Sequence, residues 1–144
     1  MHQRSGLAAF MLLVLFSAGC IAAPPTAPAA PAALTPGSGV TATPLLRSPL
    51  AGDANREVLQ ATVLFAPGAT TGRHRHPGDE YAIVVDGAVE LLSEGSAPRL
   101  IKAGEAYVNL RGVAHETRNP GAVPARVAST FIIDRNKPLI EALP

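Results

Sequence analysis

An all-β fold is predicted for this chain, and three observations carry the prediction. Apolar runs are short and are punctuated by Gly and Pro at close intervals. No segment sustains an apolar repeat at helical spacing. Asp86-Gly87 lies between two strand-like runs, a two-residue hairpin signal because a type I′ turn wants positive φ there. Short strands spaced this evenly close into a barrel or a two-sheet jelly roll.

The elements follow in chain order. Residues 1–23 read as an export signal: His2 and Arg4 give a short polar start, and Leu7 to Phe16 is an unbroken apolar run. That run is too short and too abruptly ended for a membrane span, although an uncleaved anchor is the alternative. Ser17-Ala18-Gly19 then leads to Cys20, a lipidation candidate, because Ala-Gly-Cys after an apolar run resembles the bacterial lipobox. Ser17 departs from that box, and ordinary cleavage nearby, for example after Ala22, would discard Cys20. Residues 24–49 read as a linker rich in Pro and Ala, with Pro24, Pro25, Pro28, Pro31 and Pro36 close together. Extended at about 3.1 Å per residue, it would hold a domain some tens of ångströms from a membrane. The expected location is the periplasm or cell envelope, with Cys20 as a membrane tether if lipidated.

Residues 50–144 form the expected domain. Strands are predicted at Val58 to Phe65, Glu80 to Val85, Ala88 to Leu92, Arg99 to Lys102, Ala106 to Asn109, His115 to Arg118 and Ala125 to Ile133. Each is stopped by Gly, Pro or a polar turn. A chain of 144 residues has room for one such domain. The formal net charge of +1 offers no basic surface for nucleic acid. A single Cys excludes an intrachain disulfide framework, so the core, with or without a metal, must hold the fold.

Two stretches carry chemistry. His74 and His76 are two apart, so on a strand their imidazoles face one way while Arg73 and Arg75 face the other. Glu80 follows across Pro77-Gly78, which bends the chain and lets the carboxylate return toward the same point. His115 stands on a later strand. Three imidazoles and one carboxylate suit one divalent transition metal ion (Fe, Mn, Cu, Ni or Zn) and leave coordination positions open for a small-molecule ligand or substrate. Arg73, Arg75 and Arg111 read as solvated or rim charges, with holding an anionic substrate as the alternative. Tyr81 reads as packing, Asp79 as a turn residue or a partner to an imidazole, and Asn119 as a turn former.

These stretches resemble the two motifs of the cupin superfamily. The pattern G-x5-H-x-H-x3,4-E-x6-G is met by Gly68, His74, His76, Glu80 and Gly87, and G-x5-P-x-G-x2-H-x3-N by Gly104, Gly112, His115 and Asn119. Leu110 stands where the family has Pro, which bears on the stiffness of that loop. The resemblance, carried by residues 68–87 and 104–119, implies a small conical barrel, often a homodimer. It also implies a metal on His74, His76, Glu80 and His115. The family includes dioxygenases, decarboxylases, isomerases, lyases and proteins that only bind. An apolar interior then favours a metalloenzyme acting on a small organic ligand, with oxygenase-like chemistry the leading reaction; a non-catalytic envelope module binding a ligand or metal is the alternative. The catalytic residues beyond the ligands are not legible. Mass spectrometry of the mature N-terminus separates the two readings: a lipidated Cys20 would establish the tether, and an unmodified terminus downstream of it would remove it.

Overall fold

The computed structural model describes residues 39–144, so the expected export segment, Cys20 and most of the expected linker lie outside them. Ten strands form: β1 (Val40–Leu50), β2 (Asp53–Phe65), β3 (His74–Arg75), β4 (Gly78–Asp86), β5 (Ala88–Ser93), β6 (Arg99–Lys102), β7 (Ala106–Asn109), β8 (His115–Arg118), β9 (Ala125–Asp134) and β10 (Glu141–Ala142). One antiparallel sheet runs β1-β2-β9-β4-β7 and the other β10-β3-β8-β5-β6. The described residues contain no helix, and the all-β jelly roll read from the sequence is the fold.

Alternation builds the core. Leu59, Ala61, Val63 and Phe65 of β2 point inward, as do Ala82 and Val84 of β4 and Val127, Phe131 and Ile133 of β9. Val89, Leu91 and Ile101 of the second sheet join Val63, Phe65, Ala82, Val84 and Val127 in one cluster, while Leu59, Ala61, Phe131 and Ile133 form another. Each large side chain buried this way contributes roughly 1.5–3 kcal/mol. The intervening residues face out; Tyr81, expected to pack, is 50% exposed because it alternates with inward Glu80.

Two expectations are corrected. The linker predicted over 24–49 does not extend to 49, because residues 40–49 belong to β1, which pairs with β2 from Val40↔Phe65 onward. Pro44 and Pro49 disguise it, yet β1 is an edge strand, where a missing N–H is tolerated. The ladder shifts register between Pro44 and Leu46, leaving Leu45 as an extra residue.

The second correction concerns Asp86-Gly87, which is not a hairpin. β4 pairs with β7 and β9, whereas β5 pairs with β6 and β8. Only Gly87, at φ 73°, takes positive φ; Asp86 does not, so the type I′ requirement fails. The chain turns a corner from one sheet to the other. It is fastened there by Ala103 N–H to the Gly87 carbonyl at 3.0 Å and Gly104 N–H to the Val84 carbonyl at 2.8 Å.

Gly78 begins β4 where a Cβ would sit 2.0 Å from the Ile132 carbonyl oxygen. Gly78→Ala is expected to cost more than about 3 kcal/mol, since backbone must move to admit the methyl. Gly95→Ala, at φ 75° in open space, should cost only about 1 kcal/mol of strain. Urea denaturation of both variants checks the order, and equal losses would refute it.

Candidate metal centre

Two of the three imidazoles lie on one sheet, and the third follows directly after its strand β3. His74 of β3 lies directly opposite His115 of β8 in the ladder, with ring centroids 4.4 Å apart. His76, one residue beyond β3, has its ring 4.8 Å from that of His74 and 4.9 Å from that of His115. The alternation that aims His74 inward also aims His76, so both are buried. Donor atoms from the three side chains all lie within 4.8 Å of one another. Metal–nitrogen bonds of about 2.0–2.1 Å hold neighbouring nitrogens roughly 3.0–3.4 Å apart, so a bound ion would draw the widest-set donors inward.

Each ring is oriented by the backbone. Nδ1 of His74 lies 2.9 Å from the Gly72 carbonyl oxygen, Nδ1 of His76 2.7 Å from that of Leu139, and Nδ1 of His115 3.0 Å from that of Val113. A carbonyl only accepts, so Nδ1 donates, and in a neutral ring Nε2 then faces the cavity with its lone pair. Nε2 of His115 is buried and has no hydrogen-bond partner. A buried polar atom without a partner calls for an explanation, and a cation held there would supply one.

Glu80 arrives from the opposite sheet. Its Oε2 lies 3.5 Å from Nε2 of His76 and 4.0 Å from Nε2 of His115. Ser129 Oγ of β9 donates to Oε1 at 2.7 Å, and Asn109 Nδ2 of β7 donates to Oε2 at 2.7 Å. Burial alone would raise the carboxyl, but His76 beside it, with Ser129 and Asn109, brings its pKa down to about 2. Burial, opposed by the Gly72 carbonyl and aided by His115 and His76, lowers His74 to about 4. Burial likewise lowers His115, against the pull of the Val113 carbonyl. At neutral pH this leaves His74 and His115 neutral beside an ionised carboxylate, the protonation state that binds a cation.

Of the four residues named from the sequence, the three imidazoles form one cluster, and Glu80 reaches its edge beside His76 and His115. The Pro77-Gly78 bend does return Glu80 toward the imidazoles. Arg75 pairs with Glu141, Arg111 with Asp134, and Arg73 approaches Glu94 at 3.9 Å, so all three stay on the surface and none lines the cavity. Asp79 accepts from the Arg111 backbone N–H at 2.9 Å rather than touching an imidazole. That bond, with Gly112 N–H to the His76 carbonyl at 3.1 Å, anchors the loop where Leu110 replaces Pro. Asn119 is buried, its amide reaching the carbonyls of Phe65, Ala66 and Val123 while its Oδ1 accepts from Gly121 N–H.

Sequence reasoning missed Asn109, Tyr107 and Thr117. Asn109 sits directly opposite Glu80 in the ladder. Tyr107 and Thr117 are buried and line the same cavity, and burial and the Glu80 charge push the Tyr107 phenol up. The cavity, of about 840 Å³, is lined further by Leu59, Ala61, Phe131 and Leu139. Phe131 meets His76 edge-on with centroids 5.1 Å apart.

The family model described as "Cupin domain" matches residues 61–133. A "Beta-alanine degradation protein BauB" of Pseudomonas aeruginosa is 44% identical over 71 residues, 47% of this chain and 74% of that protein. A "Germin-like protein subfamily 2 member 2" of Arabidopsis thaliana is 35% identical over 102 residues, 67% of this chain and 46% of that one. Among solved structures, an oxalate oxidase in complex with the substrate analogue glycolate superposes with a TM-score of 0.61 at 26% identity, covering 80% of this chain and 60% of that one. The chain thus spans less than two thirds of the germin-like protein and of the oxalate oxidase.

Elemental analysis of purified variants tests the site. His74→Ala, His76→Ala and His115→Ala are each expected to lower metal affinity by at least about a hundredfold, and Ser129→Ala, which loosens Glu80, by about tenfold. Stoichiometric metal in all three histidine variants would sink the assignment.

Proposed function

The chain belongs to the cupin family, and from that membership we propose a metal-dependent enzyme that acts on a small organic ligand by oxygenase-like chemistry. One observation carries the reading. Three imidazoles, each with its Nδ1 held by a backbone carbonyl, aim toward one point beside a buried carboxylate. His74, His76, Glu80 and His115 would hold the ion. Bound there, it would supply Lewis-acid polarisation of a ligand oxygen and, if redox-active, one-electron chemistry.

The chain's own residues do the rest. Ser129 and Asn109 hold the carboxylate in one orientation, and a carboxylate so fixed needs no reorganisation when a ligand arrives. Phe131, Leu59 and Ala61 make the approach apolar and limit water. Tyr107 and Thr117 offer hydroxyls within the same cavity for orienting a ligand oxygen. The likeness to an oxalate oxidase holding glycolate supports an oxygen-bearing substrate.

A second reading has its own support. Among the described residues lining the cavity, Glu80 is the sole carboxylate, so none is left over as a general base. A binding module that captures a small ligand through its metal needs no such base. The export signal read over residues 1–23 supports either role in the cell envelope, where a tether at Cys20 would concentrate the domain near a membrane partner.

Oxygen-uptake assays on protein carrying its native metal, with catechols, diketones and organic acids, separate the two. Turnover that falls at least about a hundredfold in His115→Ala is expected. Tight binding of one of these compounds without product would favour the binding module.

A further inference from the structure

The cavity is much larger than the centre at its base requires. At about 840 Å³ it lies in the range that encloses drug-sized ligands, whereas a two-carbon acid would leave most of it to water. Exposure orders its lining. The imidazoles, Glu80 and Tyr107 are buried, and buried Leu59 and Phe131 with half-buried Leu139 form one apolar cluster beside them. The exposed lining residues include Arg135 and Lys137.

The cations of the lining differ in what surrounds them. Arg47 is answered by Glu57 through two bonds of 3.0 and 2.6 Å. Arg135 donates one N–H to the Ala54 carbonyl at 3.2 Å and pairs with no carboxylate. Lys137 makes no close ion pair among the described residues, although its charge acts at longer range on Asp134 and Glu141. The nearby carboxylates Asp134 and Glu141 are already taken by Arg111 and Arg75. With those two carboxylates each paired to an arginine, Arg135 and Lys137 leave the exposed lining of the cavity with an excess of positive charge. Solvent screening makes them weak anchors individually, but like charges at one cavity mouth favour anionic ligands over neutral ones.

We infer that the ligand is an elongated organic anion. Its oxygen-bearing end would meet the imidazoles and Glu80, its apolar body would run along Leu59, Phe131 and Leu139, and its anionic end would remain at Arg135 and Lys137. The inference rests on the metal-dependent reading above and adds to it a ligand length and a charge position.

Calorimetric titration of the metal-loaded protein with three hydroxamates tests it. Acetohydroxamate probes the metal alone, octanohydroxamate adds an apolar chain, and the same chain ending in a carboxylate adds the anion. The eight-carbon ligand is expected to bind at least about tenfold more tightly than acetohydroxamate, from burial of its methylenes. The carboxylated ligand should gain a further three- to fivefold, roughly the size of exposed charge pairs, and the gain should shrink as salt is added. Arg135→Gln with Lys137→Gln should abolish the preference for the carboxylated ligand over its methyl-ended counterpart, and Lys137→Gln alone should halve it at least. Equal affinity across the three ligands, or a carboxylate preference that survives the double variant, would overturn the inference while leaving the metal reading intact. Failure of all three to bind would overturn the metal reading, and this inference with it.

Discussion

Glu80 reaches across the interior from the β1-β2-β9-β4-β7 sheet to imidazoles on, or just beyond, strands of the other one. The arrangement of the domain turns on that meeting. Three of the buried groups that surround it are histidines and one is a carboxylate, and in an unligated core such a set would be unfavourable. Burial of ionisable groups is tolerated here because every one is tied at its back. Three carbonyls hold the imidazoles, and a hydroxyl and an amide hold the carboxylate. The remaining lone pairs face one another across the cavity, an arrangement that a shared cation resolves.

The supports come from distant parts of the chain, which makes the centre a property of the whole barrel. Leu139, whose carbonyl holds His76, lies 63 residues from it, and Ser129 lies 49 residues from Glu80. A shift in either sheet would misalign these bonds. The sheet-to-sheet corners therefore matter as much as the strands. Gly87 permits one corner, and the turn before β7 returns the chain to the first sheet, so that Asn109 comes to rest opposite Glu80.

How much of this is legible beforehand depends on distance along the chain. β6, β7 and β8 have the bounds their punctuation predicts, because Pro98, Gly104, Gly112 and Asn119-Pro120-Gly121 sit at their ends. His74, His76 and Glu80 are readable because their spacing is local. His115 is readable only as an isolated imidazole whose partner the ladder supplies. Asn109 and Tyr107 carry no local signal, since their roles follow from register between strands far apart in sequence. β1 is hidden for a different reason: Pro44 and Pro49 suggest a spacer, and only its position at the edge makes them acceptable. Asp86-Gly87 shows the limit of turn chemistry. It states that the chain bends, but which sheet receives the next strand depends on where Val89 and Leu91 can be buried.

β1 also bears on how the open edge of its sheet meets other chains. A long outer strand offers a row of unsatisfied backbone groups to any other extended chain, and ordered aggregates grow from such rows. Here Pro44 and Pro49 interrupt the donors, and the extra residue at Leu45 breaks the spacing of the row. A second strand laid along it would find gaps and a kink where it needs regular partners. The wall of the cavity is thus also an edge that resists strand-by-strand growth.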